Sequence, residues 1–217
     1  MSSDLTRTAR RLAAFGVAVT ATVGLSGCFT GQRPTLAEGP AMTGDPATDA
    51  VLGRLDQARQ AVFSVDYDVL TRFGNISREA SVVQAGPARR SITVGSIRFL
   101  VDNDATATCD LTSDVCTDTI DAARISDTQL APDFYASSAA TRLRRDANQR
   151  TDATVASTIE VGGQTATCVA VPVSGSTETY CALDAGPLAR IDAADVRIEL
   201  TSYSAAADES KFARSGG

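Results

Sequence analysis

The sequence predicts an α+β domain in which an antiparallel sheet of about eight to eleven strands carries helices on one face. Three observations lead there. Long stretches alternate apolar and polar residues, as in Phe63, Val65, Tyr67 and Val69 against Ser64, Asp66 and Asp68, the pattern of a half-buried strand. Short turns such as Gly74-Asn75, Gly95-Ser96 and Gly162-Gly163 separate the stretches, joining neighbours as hairpins. Two further segments have helical spacing, and amphipathic helices must bury their apolar stripe against a sheet.

In chain order, Thr48 or Asp49 is placed to cap a helix running to about Val62, with Val51, Leu55, Ala58 and Val62 on one stripe. Strands follow over Phe63–Phe73, Ile76–Gln84, Arg89–Val94 and Ile97–Val101, then a pair carrying Cys109 and Cys116. Pro132 opens a second helix, Pro132–Ala147, with Phe134, Tyr135, Ala139 and Leu143 inward. Strands resume at Thr151–Val161, Gln164–Val173, Thr177–Leu183, Pro187–Asp192 and Asp195–Tyr203, and residues 205–217 read as a disordered tail.

The first residues read as an address. Arg7, Arg10 and Arg11 precede Leu12–Leu25, an uncharged apolar run of 14 residues. That is short of the roughly 20 a spanning helix needs and has the proportions of a signal-peptide core. The run ends in Leu25-Ser26-Gly27-Cys28, which resembles the bacterial lipobox. The resemblance implies removal of residues 1–27 and a diacylglyceryl group on Cys28, leaving the protein on the outer face of a membrane. Two or more acyl chains hold a protein there where one does not. Residues 28–47, with Pro and Gly and no periodicity, read as a flexible tether, and 48–204 as the domain.

Four cysteines remain, an even number in an exported chain, which implies disulfides. A two-residue turn at Ser174-Gly175 places Cys168 directly opposite Cys181, and Cys109 and Cys116 are symmetric about Thr112-Ser113. The expected pairs are 109–116 and 168–181, because spacings of 7 and 13 do not suit a four-cysteine zinc site.

Composition removes most chemistry. With no His there is no Ser-His-Asp triad, no Cys-His pair and no His-ligated metal. Residues 28–217 carry a net charge of −8, a poor match for nucleic acid. The one basic cluster, Arg142, Arg144, Arg145 and Arg150, reads as a solvated helix face. Asp102-Asn103-Asp104 opens like a calcium loop, but Ala107 and Ser113 stand where Gly and Glu are required. No cofactor, metal or catalytic residue is expected.

The order of lipobox, tether, helix, strands and helical interruption, followed by Cys181-Ala-Leu-Asp-Ala-Gly-Pro-Leu188 and Leu200-Thr-Ser-Tyr203, resembles the LolA/LppX/LprG-type lipoproteins. The resemblance covers most of residues 48–204 and implies a half-barrel with helices on its concave face around an apolar cavity. Two functions follow. In one, Val65, Tyr67, Val69, Ile97, Phe99, Phe134 and Leu143 line a cavity that carries a lipid or lipidated molecule. In the other, the same residues form a closed core, and the domain binds a membrane or cell-envelope protein.

Overall fold

The computed structural model describes residues 42–214. The expected signal peptide, the expected lipidation site Cys28 and most of the expected tether lie outside the described residues. Eleven strands form one antiparallel sheet in the order β6-β5-β4-β3-β2-β1-β11-β10-β9-β8-β7. The strands are β1 (Val62–Thr71), β2 (Ile76–Ala85), β3 (Arg89–Val94), β4 (Ile97–Asp102), β5 (Ala105–Asp110), β6 (Val115–Thr117), β7 (Val155–Val161), β8 (Gln164–Val173), β9 (Ser176–Leu183), β10 (Leu188–Asp192) and β11 (Val196–Ser204). The first and last strands pair at the centre, while β6 and β7 form the two edges. The connection between those edges carries α2 (Ala122–Thr128) and α3 (Ser137–Asn148). It has to cross a whole face of the sheet, and its Phe134, Tyr135 and Leu143 therefore join the core. The sheet is curved and unclosed, the α+β half-barrel that the resemblance implies.

Local chemistry moves three boundaries. Helix α1 (Pro46–Ala58) starts earlier than expected, because the Asp45 carboxylate accepts the Thr48 N–H at 2.8 Å and Pro46 supplies a preset first turn. Thr48 itself is buried, and Asp49 instead accepts from the Thr43 N–H at 2.7 Å. Val62 belongs to β1, not to the helix. Pro132 does not open a helix: residues 132–136 are turns that drive Phe134 and Tyr135 inward, and α3 begins at Ser137. Helix α2, unexpected from the sequence, is capped by Asp121 and ended by Gln129 in the left-handed region at φ 56°.

Residues 205–214 correct the expectation of a disordered tail. The Ser64 hydroxyl donates to the Ala206 carbonyl at 2.8 Å, Ser91 to Lys211 at 2.7 Å, and the Arg98 guanidinium to Ala213 at 3.0 Å. Ser64, Ser91 and Arg98 lie on the sheet face opposite the helices, so the segment straps that face across β1 to β4. Phe212 lies 4.0 Å beneath the Arg89 guanidinium carbon. Backbone carbonyls, one aromatic ring and the Arg89–Glu209 and Arg214–Asp118 ion pairs do the anchoring, with partners that the Ala-rich string does not advertise.

Two glycines are required. Gly162 adopts φ +58° in the β7–β8 turn, where a Cβ would lie 2.5 Å from Leu200. Gly186 adopts φ +111°, and its Cβ would lie 2.7 Å from the Ala58 backbone nitrogen, so only glycine lets this loop close on α1.

Candidate functional site

The seven residues expected to line a cavity are all brought together in one buried cluster, of which Phe134 also borders a groove at its edge. Val65, Tyr67, Val69, Ile97, Phe99, Phe134 and Leu143 are each at most 6% exposed and belong to one cluster. Tyr67 stacks edge-on against Phe134 with centroids 5.2 Å apart, and Phe63 against Tyr135 at 5.8 Å. The polar tips are satisfied inside. The Tyr67 hydroxyl donates to the Leu188 carbonyl at 2.8 Å, and the Tyr135 hydroxyl donates to Gln84, whose amide donates to the Ala58 carbonyl.

Open apolar surface lies at one end of the half-barrel. A groove of about 300 Å³ runs between the β1–β2 turn, the Gln129–Ala131 segment, α3 and the β10–β11 turn. Phe73, Leu130, Phe134, Ile191, Val196 and Ile198 supply its apolar wall. Phe73 is 85% exposed at its lip, and Ile76 beyond the turn is partly exposed. Phe73 thus holds a large apolar ring in water beside the largely buried apolar wall of the groove.

The polar side of the groove is rigid. The Arg142 guanidinium donates to both oxygens of Asp195 and, at 3.0 Å, to the Tyr180 hydroxyl. Tyr180 in turn donates to the buried Asp146, which also accepts from Arg145 at 2.9 Å. Burial is the largest influence on Arg142 and opposes its charge, but its bonds and charge interactions with Asp195 and Tyr180 together outweigh burial and raise its pKa. The bond from Arg142 holds Asp195 below its ordinary value, while burial pushes the Tyr180 phenol far up. Arg142 is thus no part of a solvated helix face; Arg144 of that cluster also bonds a carboxylate, Asp56, at 2.7 Å. Arg142, Asp195, Tyr180 and Asp146 are thus bonded to one another as a fixed polar frame beside the apolar wall.

Two disulfides brace the sheet. Cys109–Cys116 joins β5 to β6 and Cys168–Cys181 joins β8 to β9, each between directly opposed residues with Cα atoms 4.0 Å apart. They fit an oxidising, extracytoplasmic compartment. Among the described residues no helix is long and apolar enough to cross a membrane, and no cluster of three or more His, Cys, Asp or Glu is placed to hold a metal ion.

Sequence reasoning missed the groove. Phe73 looked like one more strand residue, although it stands immediately before Gly74-Asn75, where alternation ends and a side chain has no sheet to face. Asp195 and Tyr180 gave no signal, since their meeting with Arg142 joins residues 53 and 38 positions apart.

The fold and groove together define a curved, unclosed α+β half-barrel with an apolar-walled groove at one end. No protein-family model matches the chain, and no curated protein matches it. Among solved structures it is similar to a chain of the Pseudomonas aeruginosa MucA/MucB complex, at TM-score 0.51 and 14% identity, over 77% of this chain and 60% of that one. It also matches the Mycobacterium tuberculosis lipoprotein LppX at TM-score 0.36 and 19% identity, over 71% and 93% of the two chains. For a LolA superfamily protein from Nitrosomonas europaea the values are 0.30 and 11%, over 72% and 91%. The chain thus spans about 60% of the first of these, and at 14% identity that likeness is one of fold.

Proposed function

We propose that this chain is an exported, non-catalytic binding lipoprotein, anchored through Cys28 to the outer face of a membrane, whose half-barrel holds a cell-envelope protein at the Phe73 groove. The observation that carries this reading is the contrast in exposure. The seven inward residues are at most 6% exposed, whereas Phe73 is 85% exposed beside an apolar groove. A carrier of multi-acyl lipid needs its free volume in the middle; burial of all seven inward residues supports a closed interior, and the exposed ring of Phe73 is at the rim. MucB, with which this chain shares fold, occurs in complex with MucA, which supports the use of such a half-barrel to hold a protein. The tether then sets the domain just off the headgroups, within reach of membrane-bound partners.

Site-specific photocrosslinking in cells tests this. A benzoylphenylalanine at position 73 is expected to give a discrete protein adduct that the same group at Val115, also exposed but on β6, does not give. No adduct from position 73, or the same adducts from both positions, contradicts the proposal.

A further inference from the structure

Fifteen arginines lie among the described residues. Thirteen of them bond a carboxylate, carbonyl or hydroxyl oxygen. Arg54, Arg72, Arg89, Arg124, Arg142, Arg144, Arg145, Arg190, Arg197 and Arg214 pair with carboxylates. Arg78, Arg98 and Arg150 reach backbone carbonyls at 3.0 to 3.3 Å. The two that remain, Arg59 and Arg90, border one and the same pocket.

That pocket has a volume of about 350 Å³ and lies between the end of α1, β3, and the segment joining α2 to α3. Arg59 is the C-terminal cap residue of α1 and is exposed. Arg90 stands opposite Gln84 and Val101 in the sheet register, on the helix side, and its Nε is buried without a partner. A buried guanidinium N–H with no acceptor is costly, and donors of that kind match carboxylate and phosphate oxygens. The neighbouring carboxylate, Asp133, does not quench them: it accepts the Ser138 hydroxyl and forms no ion pair among the described residues. Both cations are felt inside. Burial pushes the Tyr135 phenol up to about 12, and the charges of Arg90 and Arg59 act against that rise. Val101, Ile120, Ile125 and Pro132 supply its apolar wall.

We propose that this pocket binds a small organic anion with one apolar body, its carboxylate or phosphate group bonded by Arg59 and Arg90 and its chain laid against Val101, Ile120, Ile125 and Pro132. The volume is near the lower end of the roughly 300–1,000 Å³ typical of small-molecule sites, which suits a single chain or ring and not a multi-acyl lipid. The pocket shares no lining residue with the Phe73 groove, so this site stands independently of the proposed protein contact.

The test is calorimetric titration of the Cys28→Ser protein with decanoate, decyl phosphate, decanol and inorganic phosphate. The expected result is saturable binding of an anionic amphiphile, weaker by about tenfold or more in Arg59→Gln and in Arg90→Gln. Decanol is expected to bind at least about tenfold more weakly than the better anion. The tighter of decanoate and decyl phosphate identifies the headgroup. Arg59 is exposed at a helix end, so its substitution tests the site even where Arg90→Gln perturbs β3. Three results overturn the proposal: no binding of either anionic amphiphile, binding unchanged by both substitutions, or inorganic phosphate binding as tightly as decyl phosphate.

Discussion

Two clefts flank the turn that carries Phe134 and Tyr135, and they hold their arginines in opposite ways. Under the Phe73 groove, Arg142 is saturated by Asp195 and Tyr180. In the neighbouring pocket, the guanidinium groups of Arg59 and Arg90 bond no acceptor among the described residues, and the Arg90 Nε is buried. The two share an architecture, a sheet end covered by the edge-to-edge connection, yet one arginine fastens the fold while the other two await an acceptor. A cation in a cleft is informative through what it lacks. Bonded by carboxylate and phenol, it is structure; open into a pocket, as at Arg59 and Arg90, it is where a ligand is proposed.

That contrast holds only if the space between the clefts is filled, and the largest expected effect checks this. Leu143 is fully buried against the sheet, so Leu143→Ala is expected to lower unfolding stability in urea by about 3 kcal/mol, as cavity creation in a packed core does. A loss below about 1 kcal/mol would mean that the side chain already borders a void and would break the comparison. The next effect separates the two kinds of arginine. Tyr180→Phe removes the hydroxyl that links Arg142 to the buried Asp146 and is expected to cost about 1–2 kcal/mol. Arg59→Gln, touching no partner, is expected to stay within about 0.5 kcal/mol of the parent in the same assay.

The smallest effect is electrostatic. The Arg142 bond holds Asp195 below its ordinary pKa, so its contribution is full above about pH 4, the unfolded value, and is lost as pH falls through the lower folded value. The Asp195 side chain is 64% exposed, which limits that contribution to about 0.5 kcal/mol. The stability gap between the parent and Asp195→Asn is expected to close in acid; a gap that persists there would show that Asp195 acts by packing and not by charge.

Most of the fold could be read from the sequence because its signals are local. Alternation in Phe63–Val69 and the two-residue turns determine hairpins, and hairpin symmetry about Ser174-Gly175 puts Cys168 opposite Cys181, where the structure has the disulfide. The helical connection was harder. Pro132 ordinarily starts a helix, but here Phe134 and Tyr135 gain more by entering the core from a turn, and the helix waits until Ser137. The strap of residues 205–214 depends on Ser64, Ser91 and Arg98, more than 100 positions away. Both clefts are likewise assembled from distant pieces. Whether Arg90 has a carboxylate is a fact about three dimensions, and no spacing in the chain encodes it.

The proposed function requires a closed interior, and native mass spectrometry tests that most directly. The protein to measure is the Cys28→Ser form carrying Arg59→Gln and Arg90→Gln, purified from its membrane-exposed compartment without detergent, so that the peripheral pocket is silenced. A closed half-barrel predicts the bare polypeptide mass, before and after incubation with membrane lipid extract. A retained lipid with two or more acyl chains, released on denaturation, would contradict the closed core and return the seven inward residues to the wall of a cavity.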